Sequence, residues 1–144
     1  MITIKKVQTK KEYEICLMIR KAVFIEEQYV PKDQEIDSFE NSSIHFLAYY
    51  NKTPAGTGRL RIKEHCIKFE RIATLKAFRG KGVGKKLLKT LQDIATKEHP
   101  MSQILANVQV QAIPFYQKLG WKMIGKTFFD AGIKHQTMEY QSKK

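Results

Sequence analysis

The chain has 144 residues, 42% of them hydrophobic, and 26 Lys and Arg against 14 Asp and Glu give it a net charge of +12. That is the length of one ordinary domain, 1–144, with apolar content enough for a core without disulfides. Cys16 and Cys66 lie far apart in sequence and show no disulfide framework or metal-ligand spacing; both read as small buried apolar residues, and no metal is expected. No apolar run approaches the roughly 18 residues that span a bilayer, and the N-terminus reads as a lysine-bearing strand, not as a signal peptide. A cytoplasmic setting with no membrane partner follows. The basic balance by itself suits an anionic partner: a nucleic acid, a membrane surface or a phosphorylated cofactor. The lysines are scattered, however, which equally describes a solvated surface.

Residues 1–7 alternate apolar and polar side chains, with Ile2, Ile4 and Val7 predicting a first strand. Thr9 can cap a helix over 10–27, where Tyr13, Cys16, Leu17 and Phe24 recur at helical spacing. Arg20 falls on that stripe and reads as a guanidinium paired with a carboxylate at the core edge. Segment 29–41 holds Pro31 and the acids Asp33, Glu35, Asp37 and Glu40 with no clean period, so it reads as an irregular or briefly helical loop. It could attract a cationic amine or pair with surface lysines. Strands are predicted over 44–50, 57–63 and 67–75. A glycine-rich turn at 80–84 then opens a helix with Leu87, Leu88, Leu91, Ile94 and Ala95 on one face, ended by Pro100. A short strand over 102–107 is followed by a helix whose face is Val108, Ala112, Phe115, Tyr116 and Leu119, with Gly120 as its cap. Strands over 121–129 and 134–140 flank a turn at 130–132. Seven strands and three helices predict a mixed α/β domain around one sheet.

The run Arg79-Gly80-Lys81-Gly82-Val83-Gly84 sits between a strand and a long helix. Glycines let main chain approach a ligand closely. Helix-terminal N–H groups then point at one spot with the positive end of the dipole behind them. Arg79, Lys81, Lys85 and Lys86 add charge, which makes a plausible pyrophosphate cradle. A Walker loop is excluded because Gly84 is followed by Lys85 and Lys86, and the preceding hairpin does not fit a dinucleotide fingerprint.

The segment resembles the acyl-CoA-binding signature of the GNAT superfamily, with Arg79, Gly82 and Gly84 at its defining positions. The stretch from Phe115 and Tyr116 to Gly120 and Trp121 is similar to that superfamily's second signature, and the order of elements agrees from end to end. Arg20, the run from Val23 to Gln28, then Glu35, Asp37, His45 and the ending with Gly132, Ile133, Lys134 and His135 resemble the ElaA-like branch. Gln109, where many members of the superfamily have asparagine, also fits that branch. The resemblance implies a central, mostly antiparallel sheet of about seven strands flanked by helices.

It further implies an N-acetyltransferase that takes its acyl group from acetyl-CoA and gives it to an amine of a small molecule or peptide. Ile72, Ala73 and Thr74 of the fourth strand would hold the thioester arm. Arg79 to Lys85, with Gln109 and Phe115, would complete the coenzyme A site. Tyr116 aligns with the tyrosine that protonates the departing thiolate, although its place on the apolar stripe also suits a core tyrosine. Glu70 lies close to where some members place a glutamate base; paired with Arg59, Arg61 or Arg71 it would be structural. Glu27, Gln28, Glu35, Asp37, His45 and His135 are candidates on the acceptor side, and a water chain could replace a dedicated base. A homodimer is compatible. Two other readings stay open: an acyl-CoA sensor without catalysis, and a basic nucleic-acid-binding domain. The second lacks any recognised motif, its aromatics occupy core-like positions, and no specific nucleic acid is expected.

Overall fold

A computed structural model describes residues 1–141; the last three residues of the expected 1–144 domain lie outside the described residues. Strand β1 (Ile2–Lys6) leads to helix α1 (Lys10–Arg20), which starts on a full capping box between Thr9 and Glu12. The expected helix over 10–27 continues in a different form: Lys21–Glu27 is π-helical, with the wider turn of i→i+5 bonding. A single helical turn, α2 (Lys32–Glu35), interrupts the acidic loop. Strands β2 (Ile44–Tyr50), β3 (Thr53–Lys63) and β4 (Cys66–Thr74) form an antiparallel meander, and β1 pairs with β2. Helix α3 (Val83–Glu98) crosses to β5 (Gln103–Gln109), which lies parallel to β4.

Val108, expected on a helix face, belongs to β5. The helix that follows, α4 (Ile113–Lys118), is shorter than expected. Pro114 has no N–H and is tolerated only in the first turn, which fixes where that helix can begin. The expected strand over 121–129 is two strands, β6 (Trp121–Met123) and β7 (Phe128–Asp130), both paired with β8 (Ile133–Tyr140). Gly125, with φ of 70°, turns the chain between them. Among the described residues the sheet therefore has eight strands, not seven, along the order β1-β2-β3-β4-β5-β8-β6 with β7 also on β8.

Alternation along β2 shows how the sheet is covered. Phe46 and Ala48 join the core beneath α3, with Leu87, Leu88, Leu91 and Ala95. Leu47 between them joins Cys16, Ile19 and Val23 on the α1 side. Of the two cysteines only Cys16 is fully buried; Cys66 is half-exposed at the start of β4. No helix among the described residues is long and apolar enough to cross a membrane.

Candidate active site

The sheet opens at the one parallel junction among the described residues. Strands β4 and β5 are laddered from Cys66 opposite Gln103 to Phe69 opposite Ala106, and the ladder stops there. Beyond that point β4 stays paired with β3 as far as Thr74, and β5 with β8 as far as Gln109. The facing edges of 70–74 and 107–109 thus diverge around a gap. A bulge steers β4 away: between the Thr57–Ala73 and Arg59–Glu70 pairs, Arg71 and Ile72 oppose Gly58 alone. Arg71 takes a left-handed φ of 56° there. A cleft of about 890 Å³ runs through the gap.

The glycine turn closes one end of this cleft. Gly80 and Gly82 have φ of 78° and 87°, which the turn needs and other residues resist. Gly82 is the N-cap of α3 and no side chain caps the helix, so its first N–H groups are left for an anion. A β-carbon on Gly84 would meet Thr74 Oγ1 at 3.5 Å and Phe115 Cζ at 3.7 Å, both on the cleft wall, whereas one on Gly82 would meet Ile2 outside it. These features fit an extended chain with a pyrophosphate at one end: an unpaired strand edge for the arm and an uncapped helix for the phosphates.

The other wall carries Tyr116. Its ring lies edge-on to Phe115 and to Trp121, with centroids 5.7 and 5.4 Å away. The side chain is 7% exposed, so both expectations meet in it: a core residue that also lines the cleft. Its hydroxyl has no hydrogen-bond partner among the described residues, yet it is not a sealed-off atom, so it opens into the cleft. Burial pushes the phenol above its ordinary pKa and keeps it protonated at neutral pH.

In the acidic segment, Glu35, Asp37 and Glu40 pair with arginines instead of surface lysines, while Asp33 is exposed. Arg20, 1% exposed, donates from Nε to Glu35 at 2.9 Å and from Nη1 to Glu40 at 2.7 Å. Arg59, fully buried, holds Asp37 through both terminal nitrogens at 2.8 and 2.9 Å, and reaches Glu40 and Glu70 at 2.7 Å each. Arg71 binds Glu35 and Asp37, and Arg61 binds Glu70. Four arginines thus meet four carboxylates. Burial alone would raise the Asp37 carboxyl, but hydrogen bonds and charge from Arg59 carry it far below its ordinary range. Glu70 is likewise held low by Arg61 and Arg59 against the effect of burial. A carboxylate so clamped is a poor proton acceptor at neutral pH, so Glu70 stands on the cleft wall as a tied group instead of a free base.

Most of the expected site residues come together. Glu70, Ile72, Ala73, Thr74, Arg79, Gly80, Gly82, Val83, Gly84, Lys85, Gln109, Phe115 and Tyr116 line the cleft, as do Glu27, Gln28, Glu35 and His135. Three do not. Lys81 points its ammonium over the Tyr50 ring, 5.7 Å from the centroid. Asp37 is taken by Arg59 and Arg71. His45 is buried on β2 itself, with its Nε2 on the Glu40 carbonyl at 2.8 Å and its ring against Tyr13. Burial lowers its pKa, so it is held neutral. Arg79 spans the rim, forked onto Glu27 at 2.8 and 2.9 Å and onto the Thr74 carbonyl at 3.0 Å. Gln28 accepts from Gln109 at 2.7 Å across the mouth. Asn107, Thr137 and Phe128 also line the cleft and were not anticipated. Alternation continued through β5 would have paired Asn107 with Gln109 on one face. Among the described residues no three His, Cys, Asp or Glu side chains gather to hold a metal.

Known proteins agree with this arrangement. The family model for the acetyltransferase (GNAT) domain matches residues 6–142. The uncharacterized N-acetyltransferase YjcF of Bacillus subtilis is 41% identical over 137 residues, 93% of this chain and 97% of that protein. Among solved structures, Escherichia coli ElaA superposes with a TM-score of 0.87 at 22% identity, covering 98% of this chain and all of that one. A GNAT family acetyltransferase from Elizabethkingia anophelis, solved with acetyl-CoA bound, gives a TM-score of 0.63 at 20% identity over 96% of this chain and 94% of its own. The open parallel junction, the glycine turn at its end and the match over nearly the whole length lead to one conclusion: the chain belongs to the GNAT acetyltransferase family.

Proposed function

We propose that this enzyme transfers an acetyl group from acetyl-CoA to an amine of a small molecule or peptide, with Tyr116 as general acid. The observation that carries the reading is the gap between β4 and β5, which runs from the uncapped start of α3 past the Tyr116 hydroxyl. In this reading the phosphates sit on N–H groups of Val83, Gly84 and Lys85. The arm lies along the open edge of 72–74 as an added strand would. Main-chain N–H groups of that edge receive the charge that develops on the carbonyl oxygen. The amine nitrogen bonds to the acyl carbon, the carbon–sulfur bond breaks, and the sulfur takes the Tyr116 proton. The cytoplasm, where acetyl-CoA is available and the two thiols stay reduced, is the setting this reading requires.

The arginine network bears on the acceptor. Glu35 and Glu70 on the wall, and Asp37 and Glu40 behind it, are each matched by guanidinium groups. Of the loop's acids, exposed Asp33 alone has no guanidinium partner among the described residues, so a polycation would meet little free charge there. A panel of monoamines, polyamines, amino acids and peptides, assayed for thiol release from acetyl-CoA, tests the reading. Release with an amine and with no acceptor-free background supports it. Calorimetric binding of acetyl-CoA without release for any amine would leave a sensor, and no binding would remove both.

A further inference from the structure

We infer that His135 is the general base that takes the proton from the acceptor amine, a role that rests on the acetyltransferase reading above. His135 lies on β8 between two neighbours, opposite Gln109 of β5 and Phe128 of β7. Gln109 belongs to the edge that borders the gap. The two β8 residues beside this side, Gln136 and Met138, are buried, and Met138 joins the core with Val108 and Tyr116. By strand alternation His135 projects to the opposite face from Tyr116's core. The acid and the histidine thus approach the gap from opposite faces of the sheet. Placed so, one group can take the proton of the attacking nitrogen while the other protonates the leaving sulfur, without competing for the same space.

The ring's own contacts prepare it for the role. Nδ1 lies 2.7 Å from the carbonyl of Ile133. A carbonyl can only accept, so Nδ1 carries the proton and Nε2 of the neutral ring bears a free lone pair. Stacking on Phe128, with centroids 5.8 Å apart and planes 21° from parallel, fixes the ring's plane. Nε2 has no hydrogen-bond partner among the described residues, and the side chain lines the cleft. The competing groups are committed: Glu27 to Arg79, Glu35 to Arg20 and Arg71, Glu70 to Arg59 and Arg61. Asp130 also lines the cleft, but it stands exposed at the end of β7 with nothing among the described residues to orient it, and His45 is spent on Glu40 away from the cleft. The proton balance closes: nitrogen bonds to carbon, Nε2 takes the nitrogen's proton, carbon and sulfur part, and Tyr116 protonates the sulfur. Solvent then returns a proton from His135 to Tyr116.

Two measurements test this. His135→Asn keeps an amide donor for the Ile133 carbonyl and removes the base. With acetyl-CoA affinity by calorimetry unchanged, kcat/KM for the amine should fall by about 10²–10⁴-fold, and imidazole added to His135→Ala should restore part of the loss. A folded His135→Asn with activity within about twofold of the parent, where a lost base should cost at least a hundredfold, overturns the assignment. Nitrogen-15 NMR of the ring needs no turnover and no variant. It should find the neutral His135 protonated on Nδ1, and a proton on Nε2 instead overturns the inference even if the variants fail to fold. If the unmodified protein releases no thiol with any amine, the acetyltransferase reading fails first and this role falls with it.

Discussion

At the turn 79–84 the cleft offers main chain: uncapped N–H groups of α3, glycines at positive φ and a strand edge without a partner. Where segment 34–40 meets β3 and β4, main chain is covered and side chains carry the structure, four arginines against four carboxylates. The first region leaves its polar groups open and so can bind. The second satisfies nearly all of its own, with Arg59 Nε the one buried side-chain nitrogen or oxygen without a partner among the described residues. Charge density alone is thus a poor guide to a binding surface. What matters is which groups have no internal partner.

The largest expected effect lies in the open cleft, on the wall that carries Tyr116. Tyr116→Phe keeps the ring packing against Trp121 and removes the one proton the side chain can give. Turnover at saturating donor should fall by about 10²–10⁴-fold, in kcat and kcat/KM together, with acetyl-CoA affinity nearly unchanged. Near-full turnover with chemistry rate-limiting would make Tyr116 a core residue only.

Next comes the self-satisfied region. Arg59→Met leaves Asp37, Glu40 and Glu70 facing one another without their shared cation. We expect a loss of about 3–5 kcal/mol in urea unfolding, the usual range for breaking one partner of a buried ion pair. A cost below 1 kcal/mol, the range of an exposed pair, would show that the network is open to water. Acid should act on the same groups. Asp37, Glu40 and Glu70 have carboxyls held below their ordinary values in the folded state. Their stabilisation is present above the unfolded carboxylate pKa of about 4 and is lost as pH falls through the depressed values. Melting temperature should therefore drop below about pH 4, and in Arg59→Met that drop should be smaller. An equal drop in both proteins would place the acid sensitivity elsewhere.

The open region should respond to bulk without losing stability. Gly84→Val places its branch against Thr74 and Phe115 on the cleft wall, at a helical position where the backbone accepts a side chain. In the free protein the branch has the open cleft to occupy, and the crowding, about 1–3 kcal/mol by analogy with an overpacked core, falls on the complex, so acetyl-CoA affinity should weaken by roughly 10- to 100-fold. Calorimetry showing unchanged affinity in a folded variant would move the phosphate site. The smallest effect should come from Glu27→Gln. The Arg79–Glu27 fork is exposed, so stability should change by at most about 1 kcal/mol. Arg79, released from Glu27, should become freer to meet phosphate, and a weaker acetyl-CoA affinity would contradict that.

The division of labour in the cleft also explains what could be read in advance. A main-chain site announces itself in sequence, because only glycine supplies positive φ and close approach, and residues 79–84 carry that signature. Leu87, Leu88, Leu91 and Ala95 foretold the buried face of α3 through helical spacing. Asn107 escaped notice because β5 continues to Gln109, past the point where local pattern suggested a helix, and Thr137 because nothing local says that β8 sets it opposite Asn107. Gly125 gave too little signal to divide β6 from β7.

The sequence by itself determined the mixed sheet, the glycine turn before a long amphipathic helix and the two stretches that resemble the GNAT signatures, because each is written in local spacing. Only the tertiary structure decided which candidates share a cavity. It took Asp37 and His45 away from the cleft, clamped Glu70 between Arg59 and Arg61, and left His135 with a free ring nitrogen. The physical reason is that pairing is non-local. The partners of Arg59 lie 11 to 22 positions away along the chain, and no period or propensity records which carboxylate a buried guanidinium will meet.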